Sequence, residues 1–206
     1  MTDIHGCCQT FRYMTEQVIY LQKNDKLFLL GDYIDRGPDS KGVIDYILQL
    51  IEAGFDVTCL RGNHEQMMLN SLTDPSRYSI WFANGGDTTL RSFEAKNLHE
   101  IDELYYNFLN SLDYYRLLGD YWLAHAGFNF NAEDIFEDTH SMLWIRHWYS
   151  QIDTQLLENN VIVHGHTPME RNKITQNLAQ FEYPVIDIDA GCVFGGHLCA
   201  MDLDNR

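Results

Sequence analysis

Residues 26–37 read KLFLLGDYIDRG, so a short apolar run leads directly into a loop that carries Asp32, Asp35 and Arg36. A short apolar run that ends at a glycine is typical of a buried β-strand. The same arrangement recurs at residues 56–65, where DVTCL runs into RGNHE. Both sets of polar residues therefore follow the end of a predicted strand, which is where ligands bind in open α/β sheets.

Three further polar motifs are DIHG at residues 3–6, AHAG at 124–127 and HGHTP at 164–168. Apolar spacing predicts helices over residues 11–21 and 43–51, the second beginning near Asp39 or Ser40 and ending before Gly54. Residues 66–111 are predicted to be mostly helical and to form one wall of a cleft. The predicted strands are 26–30, 56–60, 114–118, 121–124, 161–163, 185–188 and 197–201.

The five polar motifs share one set of donor atoms, namely carboxylate, imidazole and amide groups without a thiolate. Such donors suit two divalent ions that are bridged by a carboxylate. A pair of ions about 3.5–4 Å apart neutralises a phosphate ester and lowers the pKa of bound water. The motifs therefore predict a two-metal phosphoesterase site.

Composition limits the classes of partner. The chain has 206 residues, with 30 acidic and 14 basic side chains and a formal net charge of −16. This charge repels a nucleic-acid backbone, so we expect no nucleic-acid partner. It also repels a phosphorylated substrate, so attraction has to come locally from bound cations and a few arginines. We expect one catalytic domain over residues 1–206, acting as a monomer.

Cysteine content and hydropathy bear on the compartment. The five cysteines contain no CxxC pair, which is not the pattern of a disulfide framework or a zinc site. No apolar run approaches the roughly 20 residues that span a bilayer, and the first residues lack a signal pattern. We therefore expect a cytoplasmic protein with no membrane partner.

The order of the five motifs resembles the phosphoprotein phosphatase family of the calcineurin-like metallophosphoesterases, especially its bacterial and phage members. The resemblance runs from Asp3 to about Ala200 and implies an α/β fold in which two mixed β-sheets are sandwiched between helices (αββα). It implies that Asp32 bridges two ions. The complete set of implied metal ligands is Asp3, His5, Asp32, Asn63, His125 and His166.

The same resemblance implies roles for the catalytic residues. His64 would protonate the leaving alkoxide, and Asp35 would orient His64 and favour its imidazolium form. Arg36 would bind two phosphate oxygens with its planar guanidinium group, which a lysine does less well. A second phosphate arginine is expected in a tryptophan-containing segment, where MLWIRH offers Arg146, with Arg171 as the fallback.

Two features of the sequence leave alternatives open. HGHTP contains two histidines, and alignment with the GHTP form of relatives favours His166 as the ligand, with His164 beside it or on the phosphate side. Relatives also carry a glycine before the first aspartate and a buried strand upstream, whereas this chain has Thr2 and only Met1 there. The first strand is therefore expected to be missing or to be supplied by a neighbouring chain.

The resemblance implies a metal-dependent serine/threonine phosphoprotein phosphatase. It would cleave phosphomonoesters of phosphorylated proteins by direct in-line attack of a hydroxide that bridges two ions. Mn²⁺ is the first choice of metal in vitro, with Fe, Zn and Co as alternatives. One alternative function is symmetrical hydrolysis of dinucleoside polyphosphates such as diadenosine tetraphosphate. A second is an inactive interaction protein, against which the complete ligand set argues.

Overall fold

A computed structural model describes residues 1–180 and 184–205 of the chain. Its described strands are β1 (Lys26–Leu29), β2 (Asp56–Cys59), β3 (Tyr115–Leu118), β4 (Tyr121–Ala124), β5 (Val161–His164) and β6 (Val185–Asp187). Its described α-helices are α1 (Cys8–Tyr13), α2 (Ser40–Glu52), α3 (Asn63–Thr73), α4 (Tyr78–Trp81), α5 (Asp87–Ser92), α6 (Glu103–Asn110), α7 (Thr139–Trp144), α8 (Thr154–Leu157) and α9 (Arg171–Gln180). Turns of π-helix follow α1 over Met14–Val18 and α4 over Phe82–Gly86.

Two sheets form the centre of the fold. Strands β1 and β2 pair in parallel, with Leu29 opposite Cys59. The second sheet has the order β3-β4-β5-β6, in which β3 and β4 are antiparallel and the other neighbours are parallel. The parallel strands therefore end at a common edge of each sheet, as the strand-end motifs require.

Three apolar clusters separate the layers. Leu30 and Leu60 at the ends of the first sheet pack with side chains of β4, β5 and β6, so one cluster lies between the sheets. A large cluster joins the first sheet to α1, α2, α3 and α6, and another covers the outer face of the second sheet. Helices on both outer faces of two packed sheets confirm the expected αββα class. Only the second described sheet is mixed, however, because β1 and β2 form a purely parallel pair.

The first six residues lie beside the end of β1 and the loop that follows it. The Met1 amino group donates to the Phe28 carbonyl, and Leu30 N–H donates to the Met1 carbonyl. Asp3 N–H donates to the Gly31 carbonyl at 3.1 Å, and His5 N–H donates to the Asp32 carbonyl at 2.8 Å. These bonds bring the DIHG loop against the GDYIDRG loop, although residues 1–6 do not form a strand.

Helix α2 agrees closely with its predicted limits. Asp39 caps it by accepting a hydrogen bond from Gly42 N–H, and Val43, Ile44 and Ile47 are fully buried on one face. Gly54 follows the helix with φ of +84°, a conformation that glycine adopts readily.

Two local predictions are wrong. Residues 197–201 do not form a strand, because only His197 makes bridge contacts, to Ala190 and Gly191. Leu198 packs into one apolar cluster and Cys199 against another, so the apolar run there reflects burial on two sides without strand pairing. The first helix is also shorter than predicted, and Val18 is 51% exposed, because the chain changes to a π-turn after Tyr13.

Candidate metal centre

The five motif loops meet where the parallel strands end. His5 and Asp32 lie on adjacent backbone segments, and Asn63 begins α3 directly after β2. Gly165 N–H donates to the His125 carbonyl at 2.8 Å, which joins the loop after β5 to the loop after β4. The fold thereby brings residues from five separate parts of the chain to one edge.

Asp32 lies at the centre of this arrangement and is 1% exposed. Its Oδ2 atom is 3.3 Å from His5 Nε2, while its Oδ1 atom is 3.5 Å from His125 Nε2. The backbone N–H of His64 donates to Oδ1 at 3.1 Å and fixes the carboxylate. Each oxygen of Asp32 therefore faces a different group of imidazoles, which is the geometry that a bridging ligand needs.

The first of the two groups is more compact and contains Asn63, His125 and His166. Asn63 Oδ1 lies 2.9 Å from His125 Nε2 and 3.0 Å from His166 Nδ1, and the two ring nitrogens are 3.2 Å apart. The outer nitrogen of His125 bonds to the Leu30 carbonyl at 2.8 Å, which leaves Nε2 directed inward. These three side chains, with Asp32, form the Asn63 cluster.

The second group contains Asp3 and His5 and is more open. His5 Nδ1 bonds to the Ile34 carbonyl at 2.8 Å, so Nε2 points inward. Asp3 Oδ1 is 4.0 Å from that nitrogen, and Asp3 Oδ2 accepts from Thr2 Oγ1 at 2.6 Å and from His166 N–H at 3.0 Å. These two side chains, with Asp32, form the Asp3 cluster.

His64 is held by a buried carboxylate. Its Nδ1 atom is 2.7 Å from Asp35 Oδ2, and both side chains are almost fully buried. Asp35 also accepts from Trp81 Nε1 at 3.0 Å and from Thr89 Oγ1 at 2.6 Å. Within the described chain His64 Nε2 has no hydrogen-bond partner. The ring is therefore oriented through Nδ1 and keeps Nε2 available.

Burial affects both members of the His64–Asp35 pair. It lowers the pKa of His64 and raises the pKa of Asp35 to about 8. The neighbouring Arg36 also lowers the pKa of His64. Both shifts oppose the expected imidazolium form of His64, because burial disfavours a charge on either member of the pair.

The donor set fits divalent cations. Burial lowers the pKa of His5 to about 3 and that of His166 to about 2, so both rings are neutral and can bind a metal through nitrogen. Buried His166 Nε2 has no partner among the described residues. The structure contains two groups of three side chains whose donor atoms lie within 4.8 Å of one another inside each group. One group is His5, Asp32 and His64, and the other is Asp32, His125 and His166, so Asp32 belongs to both.

Backbone strain is concentrated in the same loops. Ten described residues other than glycine have positive φ, and six of them are predicted site residues: Asp3, His5, Asp32, Asp35, Arg36 and His166. Such conformations are unfavourable for ordinary side chains and persist only where the surroundings enforce them. The sequence does not reveal this strain, which is typical of functional sites.

Two glycines allow carboxylates to approach the backbone. A Cβ atom at Gly62 would lie 2.2 Å from Asp32 Oδ1, and one at Gly165 would lie 2.4 Å from Asp3 Oδ2. Any side chain at these positions would displace an aspartate of the site. Steric contact with these aspartates therefore explains why glycine occupies these positions in RGNHE and HGHTP, which the motifs alone do not show.

The two predicted phosphate arginines flank the clusters. Arg36 Nη1 is 2.5 Å from His5 Nε2, and its guanidinium carbon is 5.3 Å from the centre of the Phe194 ring. Arg146 is exposed and donates to Thr167 Oγ1 at 2.7 Å, next to His166. The fallback, Arg171, is exposed at the start of α9. The fold therefore brings both Arg36 and Arg146 to the centre.

The two histidines of HGHTP occupy different environments. His166 belongs to the Asn63 cluster, whereas His164 ends β5 and its Nε2 atom lies 2.7 Å from the Tyr149 hydroxyl. Burial lowers the pKa of His164 to about 4. This placement agrees with the preference for His166 as the ligand.

Sequence reasoning missed several residues that support the site. Buried Glu65 accepts backbone hydrogen bonds from Asp32, Tyr33 and Gly62 and holds the GDYIDRG loop. Trp81 and Thr89 complete the environment of Asp35, although nothing in the sequence pairs them with it. Asp189 is 2% exposed and follows Ile188, whose N–H donates to the His164 carbonyl at the edge of the site. Only the polar DID pattern in an apolar segment signals it.

Comparison with known proteins now adds to this geometry. Residues 1–201 match the family described as calcineurin-like phosphoesterase. The chain belongs to this family. Members use a dinuclear metal site, so this phosphoesterase is a metal-dependent hydrolase of phosphate esters whose two donor clusters correspond to such a site.

Two curated relatives differ in the substrates that their names give. The chain is 31% identical over 200 residues to serine/threonine-protein phosphatase 1 of Salmonella typhimurium, covering 95% of this chain and 87% of that protein. It is 27% identical over 232 residues to PrpE of Anoxybacillus flavithermus, named an asymmetrical bis(5'-nucleosyl)-tetraphosphatase, covering 97% and 87%.

A solved structure of a cold-active protein tyrosine phosphatase mutant has the same fold. Its TM-score is 0.69 at 20% sequence identity, and the match covers 96% of this chain and 72% of that chain. At this identity the likeness concerns the fold alone. Among the described residues, no helix of this phosphoesterase has the length and apolar character needed to cross a membrane.

Proposed function

We propose that this phosphoesterase is a serine/threonine phosphoprotein phosphatase that hydrolyses phosphomonoesters by direct attack of water. The observation that carries the proposal is the placement of Asp32, whose two oxygens lie 3.3 and 3.5 Å from imidazoles of opposite clusters. A shared carboxylate of this kind suits a pair of divalent ions. When bound, such ions neutralise phosphate charge and lower the pKa of water.

The candidate ligands divide between the two clusters. Asp3 and His5 would hold one ion, Asn63, His125 and His166 would hold the other, and Asp32 would contribute to both. Mn²⁺ is the first metal to test, and Fe, Zn and Co accept the same oxygen and nitrogen donors.

Arg36 and Arg146 bind the phosphoryl group from opposite sides. Both guanidinium groups offer planar donor pairs that match two phosphate oxygens. Their positive charges face developing negative charge, and in a chain with net charge −16 they also supply local attraction for an anion. Together they orient the phosphorus atom for attack.

His64 donates a proton to the leaving oxygen. Its Nδ1 atom is fixed by Asp35 at 2.7 Å, and Nε2 has no competing partner among the described side chains. An alkoxide such as that of serine is a poor leaving group, so protonation during bond cleavage matters most for alkyl phosphates. Water enters the phosphate and no covalent phosphoenzyme forms.

The test compares substrates on one metal-loaded preparation. Metal-stripped protein is reconstituted with Mn²⁺ and assayed with a phosphoserine peptide and with diadenosine tetraphosphate. The proposal expects a higher kcat/KM for the peptide, and expects ¹⁸O from labelled water in the phosphate after a single turnover. Dominant cleavage of the nucleotide would contradict the proposed substrate while leaving the metal centre intact.

Dinucleoside polyphosphate hydrolysis is the second candidate. It is favoured by the relative named an asymmetrical bis(5'-nucleosyl)-tetraphosphatase, which aligns over 97% of this chain. That name specifies asymmetrical cleavage, whereas the sequence resemblance led us to consider symmetrical cleavage. Separating the nucleotide products distinguishes the two: ATP with AMP would indicate asymmetrical cleavage, and ADP alone would indicate symmetrical cleavage.

A further inference from the structure

The two clusters supply unequal numbers of protein ligands. Beyond the shared Asp32, the Asn63 cluster offers three donors within 3.2 Å of one another, whereas the Asp3 cluster offers Asp3 and His5, whose nearest donor atoms are 4.0 Å apart. Divalent ions of the candidate metals take four to six ligands. An ion in the Asp3 cluster therefore depends more on water molecules and on the side chains that hold them.

Asp189 is a buried carboxylate whose only described side-chain hydrogen bond uses one of its oxygens. The residue follows β6, is 2% exposed, and accepts the backbone N–H of Gly191 through Oδ1 at 2.9 Å. Its own backbone N–H donates to Asp187 Oδ1 at 2.9 Å, and its carbonyl accepts from Met169. Within residues 1–180 and 184–205, Oδ2 has no partner.

The charges around Asp189 are those of the metal centre. Asp3 repels its carboxylate, whereas Arg36 and Arg146 attract it. These three are a predicted metal ligand and the two predicted phosphate arginines. Ile188 N–H donates to the His164 carbonyl at 2.9 Å, so Asp189 directly follows a residue bonded to the HGHTP loop and lies at the margin of the site. A buried carboxylate oxygen without a donor, next to a second carboxylate, is costly unless a cation or a donor faces it.

Asp189 is not one of the six metal ligands that the family resemblance implies. It is also absent from the two groups of candidate donor atoms that share Asp32. A water molecule bound to a cation is a strong hydrogen-bond donor, because the cation polarises its O–H bonds. Carboxylates that accept from such donors fix the geometry of metal sites.

We propose that Asp189 belongs to the metal centre as a positioning residue, and that its Oδ2 atom accepts a hydrogen bond from water bound to the ion of the Asp3 cluster. It thereby compensates for the smaller number of protein ligands in that cluster. This inference rests on the proposed two-ion centre and is independent of which phosphate ester is the substrate.

The Asp189→Asn variant tests the inference without removing the structural bond of Oδ1. The asparagine carbonyl can still accept from Gly191 N–H, whereas the negative charge and one acceptor are lost. Asp187→Asn is the matched control, because it neutralises a neighbouring buried carboxylate and keeps an oxygen for Asp189 N–H. Calorimetric titration of metal-stripped protein with Mn²⁺, with elemental analysis, measures affinity and stoichiometry.

We expect two Mn²⁺ ions per wild-type chain. Asp189→Asn should weaken one of the two about 10–100-fold and leave the other unchanged, as for other residues that support metal ligands. Asp187→Asn should bind both ions as the wild type does. Wild-type affinities in Asp189→Asn would overturn the inference, whereas a wild-type chain that binds fewer than two ions would refute the two-ion centre itself.

Thermal unfolding gives a second readout that a purely structural role would not reproduce. Without metal, Asp189→Asn should have a Tm equal to or above that of the wild type, because the repulsion with Asp3 is removed. The rise in Tm on adding Mn²⁺ should be smaller than in the wild type. A lower metal-free Tm with an undiminished rise would show that Asp189 only stabilises the turn, and would overturn the proposal.

Discussion

The Asn63 cluster and the Asp3 cluster face the same aspartate but differ in how closely their donor atoms approach. In the Asn63 cluster an amide oxygen and two ring nitrogens lie within 3.2 Å of one another. In the Asp3 cluster the carboxylate is 4.0 Å from His5 Nε2, and one of its oxygens is already used by Thr2 and His166 N–H.

The difference indicates that close side-chain contacts hold the Asn63 cluster together, whereas backbone hydrogen bonds between two loops hold the Asp3 cluster together. The Asn63 cluster is fixed by residues at the ends of β4, β5 and the start of α3. The Asp3 cluster depends on hydrogen bonds between residues 3–6 and 31–33. We therefore expect the ion of the Asn63 cluster to bind more tightly than the ion of the Asp3 cluster.

Removal of the shared carboxylate should have the largest effect. Asp32→Asn leaves each cluster without its common anionic ligand, and loss of several kcal/mol of charge stabilisation corresponds to a fall in kcat/KM of about 10³-fold or more. The measurement is hydrolysis of a phosphoserine peptide at saturating Mn²⁺. Exposed Asp56→Asn should retain full activity, and an active Asp32→Asn variant would argue against a bridging role.

Replacing His64 should distinguish its role as proton donor from the binding of the metal ions. His64→Asn is expected to lower kcat for a phosphoserine peptide about 10²–10⁴-fold, and to affect p-nitrophenyl phosphate less because its leaving group needs little protonation. Both Mn²⁺ ions should remain bound. Exposed His99→Asn is the control. Equal losses for both substrates would contradict an acid role for His64.

The contrast between the clusters can be measured with one ligand variant in each. Asp3→Asn should reduce the affinity for the more weakly bound ion and leave the tightly bound ion in place, whereas His166→Asn should reduce the affinity for the tightly bound ion. In each case we expect at least about a 10-fold loss of affinity for the affected ion, by analogy with the 10–100-fold cost of altering supporting residues. Stoichiometry and affinity from Mn²⁺ titration decide the matter. If Asp3→Asn removed the tighter ion, our ranking of the clusters would be wrong.

The smallest expected effect concerns the support of Asp35. Trp81→Phe keeps a buried aromatic ring but removes the N–H that Asp35 accepts at 3.0 Å. An ordinary hydrogen bond contributes about 0.5–1.5 kcal/mol, so kcat should fall roughly 2- to 10-fold with unchanged Mn²⁺ binding. Trp122→Phe, in the cluster on the outer face of the second sheet, should leave kcat unchanged. A similar loss in both variants would indicate general destabilisation.

Much of the site could be predicted because its ligands occur in short motifs at the ends of apolar strands. The family resemblance supplied Asp32 as the shared ligand and favoured His166 over His164. Both residues lie among the candidate donor groups of the structure, and their roles as ligands stay predictions. The limits of α2 followed from its apolar spacing, Asp39 and Gly54. These features are local, so a single sequence contains them.

The supporting residues could not be predicted in the same way. Trp81 and Thr89 reach Asp35 across 46 and 54 residues of sequence, and only the tertiary fold brings them together. Residues 198–201 are all apolar, as in a buried strand, but Leu198 and Cys199 are buried against two different apolar clusters without strand pairing. Asp189 lacks a motif of its own, and its importance follows from burial and an unpaired oxygen.

Electron paramagnetic resonance of the protein loaded with two Mn²⁺ ions tests the shared role of Asp32 most directly. Two Mn²⁺ ions bridged by a common carboxylate are spin-coupled and give a spectrum distinct from that of isolated Mn²⁺. Our account predicts a coupled spectrum in the wild type and its loss in Asp32→Asn. Two uncoupled ions in the wild type, or an unchanged coupled spectrum in Asp32→Asn, would contradict it.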